Sequence, residues 1–473
     1  MILEHIPTEI IQLFSVSEAE GYQLLPFEKT DTGEIKCYGR KSVDYTDSLR
    51  EIKTIYNLQI TIVSVDDSEF EKGFNQYYRK GNKNGSDLKI SNIGDTNFLN
   101  LLIEEADSIH SSDIHFEPYE NRARVRMRID GKLIERYVIE KTNYPGLVNQ
   151  IKIVSNLNIS EKRLPQDGRI LFNKDGRKFD VRVSVLPTIY GEKIVLRLLT
   201  REQNLLDLKK LGFDSKQFAD YLHSITHPNG MILITGPTGS GKSTTLYATL
   251  RTLNREDNNI LTIEDPVEYT LPGINQVQLK EDIGLTFGNA LRTFLRQDPD
   301  IIMLGEIRDP DTAQMAIRSS LTGHLLLSTI HTNNAWGSVT RLMDMGVHSY
   351  LIADTLVACV AQRLIRLLCP HCKKVYDVDK CTTEALGIAE QGTFYQAVGC
   401  EQCYYTGYSG RKAIYEVIKI DKYLSDAIRK NELNVEDYLQ KQQVVTLRKS
   451  AMSLLSSGLT SLEEVLPILN DVY

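Results

Sequence analysis

A glycine-rich segment at residues 236–243, Gly-Pro-Thr-Gly-Ser-Gly-Lys-Ser, limits what this chain can fold into more than any other part of it. An apolar run at 231–235 comes directly before this segment, and residues 244–253 continue as a helix. Between a strand and a helix, such a turn points backbone N–H groups at bound phosphate, and the helix adds its positive dipole end. The sequence therefore predicts a phosphate-binding loop, or P-loop, in a parallel α/β sheet.

The P-loop also predicts which residues bind the nucleotide and its metal ion. Lys242 is expected to bridge the β- and γ-phosphates, and the Ser243 hydroxyl is expected to hold Mg²⁺. The predicted nucleotide-binding residues are Gly236, Pro237, Thr238, Gly239, Ser240, Gly241, Lys242, Ser243 and Thr244. The predicted cofactors at this site are ATP and Mg²⁺.

Two acidic residues follow at the ends of further apolar runs. Glu264 follows the run at 260–263, and Glu306 follows the run at 301–304. Because ligands bind at the carboxyl ends of parallel strands, both carboxylates are expected near the phosphates. Glu306 is the candidate for polarising the attacking water, and Glu264 is the candidate second acid, acting through Mg²⁺ or water. Each could instead be a helix cap or lie in a solvated turn.

Two histidines, His324 and His331, bracket the apolar run at 325–330. Because side chains alternate along a strand, residues seven apart face opposite sides, and the two imidazoles are not expected to bind one metal. For each histidine the sequence leaves two functions open. One is a sensor of the γ-phosphate, and the other is a plain hydrogen-bonded residue at a strand end.

The charge and hydropathy of the whole chain exclude several classes of protein. The net charge of −7 and the pI near 5.8 argue against a general electrostatic grip on nucleic acid. The first residues lack the pattern of a signal peptide, and no stretch of 18 uncharged apolar residues is present to span a bilayer. We therefore expect a cytoplasmic protein whose contact with membrane is peripheral.

A length of 473 residues suggests about three domains, at roughly 150 residues each. The polar, glycine-containing segment at 80–88 is the predicted linker. We predict an N-terminal partner-binding domain over 1–85, a second domain over 86–203 and an ATPase domain over 204–473, which includes a zinc subdomain at 365–415. Between 205 and 368, apolar runs alternate with helical segments, which is typical of a parallel α/β sheet.

Within the second predicted domain, arginines alternate with apolar residues at 122–129. This period of two predicts a strand with four arginines on one face. The face is either the solvated side of a half-buried sheet or a surface for phosphate or a neighbouring subunit's acids.

Two Cys-x₂-Cys pairs near the C-terminus predict a zinc site. Cys369 and Cys372 are separated by 27 residues from Cys400 and Cys403. This spacing suits a closed tetrahedral site of four thiolates, whose metal contributes to folding rather than to catalysis. His371 or Cys381 could replace one ligand, but either would break the paired arrangement.

On these motifs the chain resembles the secretion ATPase superfamily, specifically the type II secretion ATPases and the related type IV pilus assembly ATPases. The likeness runs from about residue 101 to residue 465. The segments that carry it are 112–118, 128–131, 165–170, 191–199, 236–243, 263–269, 295–309 and 322–332.

This resemblance implies a homo-hexamer of chains, each with a PAS-like α+β domain, a RecA-like P-loop motor domain and a small zinc-binding subdomain. It places ATP between domains and implies that Arg182 and Arg197 reach the phosphates from the second domain. Arg292, Arg296 and Arg308 match further arginines of the motor domain. The implied partners are an inner-membrane platform protein and a membrane-anchored recruiting protein, on the cytoplasmic face of the inner membrane.

The resulting functional hypothesis is an ATP-hydrolysing motor that powers pseudopilus assembly and protein export by a type II secretion system. Assembly of a type IV pilus or of a DNA-uptake pilus is the alternative within the same family. A DNA translocase of similar fold is a further alternative, which the acidic composition disfavours. A scaffold that binds ATP without turnover is disfavoured because Lys242, Ser243 and Glu306 are all present.

Overall fold

The computed structural model of the chain describes residues 6, 8–11, 13–14, 16–30, 33–56, 58–78, 96–174, 177–199, 207–376 and 393–470. The chain divides into two compact units, Met1–Thr200 and Arg201–Tyr473. The predicted linker at 80–88, the predicted boundary at 203–204 and Cys381 lie outside the described residues. The division into three domains therefore stays a prediction.

The first part of unit Met1–Thr200 is a small sheet with helices. Its elements are α1 (Thr8–Ile11), α2 (Val16–Tyr22), β1 (Leu24–Lys29), β2 (Ile35–Arg40), α3 (Thr46–Tyr56), β3 (Ile60–Val65) and α4 (Asp67–Tyr77). Strand β2 pairs antiparallel with β1 and parallel with β3. Buried apolar residues from the strands and helices, such as Leu24, Ile52 and Phe70, form the core of this part.

The second part of the same unit is a six-stranded antiparallel sheet in the order β6-β5-β4-β9-β8-β7. Its elements are α5 (Thr96–Ser108), β4 (Ser111–Pro118), β5 (Arg122–Ile129), β6 (Lys132–Glu140), α6 (Tyr144–Val154), β7 (Gln166–Lys174), β8 (Arg177–Thr188) and β9 (Gly191–Leu199). On β5 the apolar residues are buried and the arginines are partly exposed, so the predicted alternation is confirmed.

The unit Arg201–Tyr473 is built around a seven-stranded sheet in the order β12-β11-β13-β14-β10-β15-β18. Its strands are β10 (Gly230–Thr235), β11 (Ile260–Glu264), β12 (Asn275–Gln278), β13 (Ile301–Leu304), β14 (Leu325–Ile330), β15 (Leu356–Leu368) and β18 (Tyr408–Lys419). Neighbouring strands are parallel except for β15 and β18. A short antiparallel pair, β16 (Lys374–Tyr376) and β17 (Phe394–Gln396), lies between β15 and β18 in sequence.

Helices cover both faces of this sheet. They are α7 (Ser215–Ile225), α8 (Lys242–Leu253), α9 (Phe287–Phe294), α10 (Pro310–Leu321), α11 (Gly337–Asp344), α12 (Ser349–Thr355), α13 (Lys422–Arg429), α14 (Glu436–Lys441), α15 (Leu447–Ser456) and α16 (Leu462–Asn470). Met231 and Leu233 belong to one apolar core cluster, and Ile232 and Ile234 belong to another. A strand buried on both faces reads as a continuous apolar run, which is why the sequence revealed these strands.

The four strands predicted for the parallel sheet are confirmed. The runs at 231–235, 260–263, 301–304 and 325–330 correspond to β10, β11, β13 and β14. None of the helices in the described part of the chain is long and apolar enough to cross a bilayer.

Candidate functional site

The P-loop connects the buried central strand β10 to helix α8, as predicted. Gly236, Gly239 and Gly241 have φ angles of 150°, 80° and 88°, in the region that favours glycine. A Cβ atom on Gly236 would lie 2.4 Å from the backbone oxygen of Gln362, so glycine is required there. The loop therefore has its shape because β15 lies directly beside it.

Helix α8 begins at Lys242, and its N-cap residue, Gly241, has no side chain that could accept from the first N–H groups of the helix, so these groups face the loop. Lys242 Nζ donates to the carbonyls of Gly236 (2.8 Å) and Pro237 (3.1 Å). The hydroxyl oxygen of Ser240 is buried and has no hydrogen-bond partner among the described residues. These features fit the phosphates of a nucleotide, because a cation, free N–H donors and a buried hydroxyl meet in one loop.

The pKa of Lys242 is lowered, first because burial disfavours the charged ammonium. The carboxylate of Glu306 acts in the opposite direction, and the positive charge of Arg363 lowers the pKa further. Two cations and one carboxylate therefore share the space around the P-loop. An anionic ligand would satisfy the excess positive charge.

Glu306 lies directly after β13 and Gly305, on the same edge of the sheet as the P-loop. Its carboxylate accepts a charged hydrogen bond from Arg308, and the Nε2 atom of His331 lies 3.5 Å from it. Because His331 follows β14, the parallel pairing of β13 with β14 brings the two side chains together. The structure thus assembles Lys242, Glu306, Arg308 and His331.

His324 lies at the other end of β14. Its Nδ1 atom is 2.8 Å from the Ser319 carbonyl and 3.2 Å from the Thr322 hydroxyl. A strand of six residues is about 20 Å long, so His324 is remote from the P-loop edge. The structure therefore favours the hydrogen-bonded strand-end histidine for His324 and separates this residue from His331.

Glu264 ends β11 at the P-loop edge but is buried. Its carboxylate accepts hydrogen bonds from Tyr247 on α8, Thr262 on β11 and Gln276 on β12. The sequence placed Glu264 near the phosphates, but nothing local in it indicated these three partners.

The sequence did not predict two further residues at the site, Gln362 and Arg363 on β15. The Gln362 amide oxygen accepts from the Thr245 hydroxyl at 2.9 Å, and Arg363 donates to the Asn333 carbonyl at 2.8 Å. Ala361 pairs with Thr235, which sets both residues beside the P-loop. Only that pairing reveals them, because β15 follows the P-loop by more than a hundred residues.

The arginines predicted to reach the phosphates lie on the antiparallel sheet of the other unit. Arg197 Nε is 2.9 Å from Asp113 Oδ1, and Arg182 is the cross-strand neighbour of Arg197. Arg169 and Arg128 continue the same row, because they pair with Arg182 and Asp113 respectively. Directly paired residues share a face, so four arginines and Asp113, which pairs with Arg197 and Arg128, lie together on one face of the sheet. The role of Arg182 and Arg197 in hydrolysis stays a prediction.

Two arginines of β5 have partners within their own sheet. Arg124 and Arg126 donate to the Glu117 carboxylate at 2.9 and 2.8 Å. Burial raises the pKa of Glu117, but hydrogen bonds from Arg126, Lys193 and Arg124 outweigh it and lower that pKa to about 2. Arg124 and Arg126 are therefore ion-paired within their own sheet, and with exposed fractions of 12% and 24% their side chains do not form a fully solvated face. In the unit Arg201–Tyr473, Arg292 and Arg296 donate to residues of their own helix or turn.

The four cysteines predicted to bind zinc form one cluster whose sulfur atoms lie within 4.8 Å of one another. The Cys369–Cys400 sulfurs are 3.8 Å apart, and the Cys372–Cys403 and Cys400–Cys403 sulfurs are 3.7 Å apart. Zn–S bonds of about 2.3 Å in a tetrahedron place sulfurs about 3.8 Å apart. The thiols therefore fit a zinc ion.

Backbone N–H groups surround this cluster as well. Gly399 donates to Cys372 Sγ at 3.3 Å, Cys400 donates to Cys403 Sγ at 3.1 Å, and Gly407 donates to Cys403 Sγ at 3.3 Å. Such donors stabilise thiolates that bind a metal. His371 is not part of the cluster within the described residues.

Comparisons with known proteins agree with the fold described above. A family model described as "Type II/IV secretion system protein" matches residues 95–467. Type II secretion system protein E of Dickeya dadantii (strain 3937) is 38% identical over 96% of both chains. Type IV pilus assembly ATPase PilB of Myxococcus xanthus (strain DK1622) is 40% identical over 97% of this chain and 86% of PilB.

Among solved structures, the pilus retraction motor PilT with bound ADP is similar, with a TM-score of 0.55 and 26% identity. The likeness covers 79% of this chain and 97% of PilT. The predicted fold class, an α/β protein with a RecA-like P-loop domain, is confirmed.

The structure predicts that Gly236→Ala weakens nucleotide binding. The added Cβ would lie 2.4 Å from the Gln362 backbone oxygen, so the loop must move away from β15. We expect the affinity for a fluorescent ATP analogue to fall at least about tenfold, as for a displaced phosphate site. Gly284→Ala is the matched control, because Gly284 also has a positive φ, 80°, but its Cβ would meet nothing within 4 Å. Equal affinities in the two variants would contradict this account.

The cysteine cluster predicts about one zinc per chain in protein purified under reducing conditions, as expected for a four-thiolate site. Replacing Cys372 with Ser should remove the zinc and lower the unfolding temperature, because the cluster contributes folding free energy. Cys37→Ala is the control, since Cys37 is buried and outside the cluster. The measurement is elemental analysis together with thermal unfolding. Zinc-free wild-type protein would contradict the assignment.

Proposed function

The chain belongs to the type II/IV secretion system protein family, and we propose that it is the ATPase of a type II secretion system. The ATPase activity follows from the family and from its P-loop. The observation that carries the proposed mechanism is the assembly of Lys242, Glu306 and His331 at one edge of a parallel sheet. In this proposal, the γ-phosphate and the attacking water meet between these residues.

In the proposed mechanism, the N–H groups of the P-loop and of the first turn of α8 hold the phosphates. Lys242 exchanges its present acceptors, the Gly236 and Pro237 carbonyls, for phosphate oxygens. The Ser243 hydroxyl would hold Mg²⁺, which would supply positive charge to the phosphates.

Glu306 then polarises the attacking water, while Arg308 and His331 fix its carboxylate. His331 is exposed at the edge of the site and is the candidate γ-phosphate sensor of the two histidines. Glu264, at the end of the neighbouring strand, is the proposed second acid.

The proposed work of the motor is assembly of a pseudopilus by a hexamer of this chain, bound peripherally at the cytoplasmic face of the inner membrane. The proposed partners are an inner-membrane platform protein and a membrane-anchored recruiting protein. Similarity to type II secretion system protein E across 96% of both chains supports secretion. Similarity to PilB supports pilus assembly as the alternative.

The first test separates nucleotide binding from turnover. Lys242→Ala should abolish ATP binding because the cation at the phosphates is lost. Glu306→Gln should keep ATP binding and lose turnover, because the neutral amide no longer polarises water but leaves the P-loop intact. Nucleotide affinity and phosphate release are measured on both variants. Equal loss of binding in the two variants would reject the division of roles.

The second test separates a secretion motor from a DNA translocase. We expect ATPase activity to rise when the cytosolic domain of the platform protein is added, and to stay unchanged when single-stranded DNA is added. A net charge of −7 does not favour binding of nucleic acid. The platform protein is expected to raise the activity because it is the proposed partner on which the motor acts. Lys242→Ala gives the background rate in both assays. Stimulation by DNA alone would reject the secretion motor in favour of the translocase.

A further inference from the structure

The side chain of Tyr247 connects the helix after the P-loop to the acidic segment at 264–268. Tyr247 lies on α8 five residues after Lys242, and only 1% of it is exposed. Its hydroxyl donates to Glu264 Oε2 and accepts from the Glu268 backbone N–H at 3.2 Å. One phenol oxygen thus contacts both ends of the acidic segment.

The Glu264 carboxylate is oriented by this contact. Its Oε1 atom accepts from the Thr262 hydroxyl at 2.6 Å and from the Gln276 amide at 3.1 Å, while its Oε2 atom accepts from Tyr247. A carboxylate oxygen has two lone pairs, so the hydrogen bonds among the described residues saturate Oε1 and leave one acceptor position on Oε2. Because the Tyr247 hydroxyl occupies one acceptor position of Oε2, it determines which acceptor position of this oxygen stays open.

We propose that Tyr247 is a positioning residue for ATP hydrolysis, which fixes the Glu264 carboxylate so that its remaining acceptor position serves a water or a Mg²⁺-bound water. This role rests on the proposed function, in which Glu264 is the second acid. Through Tyr247, helix α8 contacts Glu264 directly. The same helix begins with Lys242 and Ser243, the two residues expected to bind phosphate and Mg²⁺. Because a helix is stiff, a movement of Lys242 also moves Tyr247, which lies about 7 Å further along the helix axis.

The phenol is suited to act as a permanent donor. Burial and the nearby negative charge of Glu264 raise the pKa of Tyr247, so the hydroxyl keeps its proton. The ring packs edge-on against Tyr269 at a centroid distance of 4.6 Å, which fixes the direction of its C–O bond. A charged donor would instead neutralise Glu264, whereas a neutral phenol orients the carboxylate and leaves its charge in place.

A double-mutant cycle tests this role. The variants are Tyr247→Phe, Glu264→Gln and the double variant, and the readouts are kcat and KM for ATP. We expect Tyr247→Phe to lower kcat about tenfold with KM nearly unchanged, because a misdirected acid slows turnover but does not weaken binding. In the Glu264→Gln background the same change should lower kcat less than about twofold, because residues that act as a unit are not additive.

Tyr221→Phe is the matched control. Tyr221 is fully buried, and its hydroxyl bonds to Thr249 on the same helix α8 at 2.7 Å, away from the acidic segment. It should lower thermal stability as Tyr247→Phe does and leave kcat unchanged. Thr262→Val removes another donor to Glu264 from a buried position, and it should reproduce the kcat loss and its non-additivity if Tyr247→Phe fails to fold.

The outcomes are distinguishable. Equal kcat in Tyr247→Phe and Tyr221→Phe, or additive losses in the cycle, would overturn the positioning role while leaving the ATPase in place. A wild-type protein that binds ATP but never hydrolyses it would overturn the proposed function and this role together. A loss confined to Tyr247→Phe and Thr262→Val, and absent in the Glu264→Gln background, supports the role.

Discussion

The structure of the motor unit depends on the parallel pairing of β10 with β14 on one side and β15 on the other. Because all strands from β12 to β15 run in the same direction, their carboxyl ends meet at one edge of the sheet. Residues that are distant in sequence, such as Lys242, Glu306 and His331, become neighbours there. The same pairing leaves no room for a side chain at Gly236. The packing of β15 against β10 therefore also determines the shape of the P-loop.

The antiparallel pair of β15 and β18 connects the P-loop to the cysteine cluster. Cys369 follows β15 directly, and Leu368 pairs with Tyr408 at the start of β18. Further along β18, the buried carboxylate of Glu416 accepts from the N–H groups of Ala335 and Leu447. Ala335 follows the loop after His331, and Leu447 begins α15. The cysteine cluster therefore lies at the far end of an antiparallel strand pair whose other residues contact the P-loop and the C-terminal helices.

The sequence predicted the elements better than their contacts. Strands β10, β11, β13 and β14 were predictable because strands buried on both faces are continuous apolar runs. The cysteine cluster was predictable because metal ligands come in short, regular spacings. The partners Tyr247, Gln362 and Arg363 were not, because each reaches the site through tertiary packing that no local pattern encodes. His324 and His331 looked equivalent in sequence, and only the direction of β14 distinguishes them.

Three buried or half-buried glutamates show how environment assigns function to one residue type. Glu117 is surrounded by Arg124, Arg126 and Lys193, which hold its pKa at about 2, so its charge is neutralised within the sheet. Glu306 has one arginine and a histidine. The described hydrogen-bond donors of Glu264 are all neutral: a phenol, a hydroxyl and an amide. Neutral donors orient a carboxylate without compensating its charge, and a buried charge left uncompensated is costly unless a cation or water reaches it. Of the three, Glu264 is therefore the acid that has no ion-pair partner among the described residues, which is the arrangement expected of a carboxylate that serves a water or a cation.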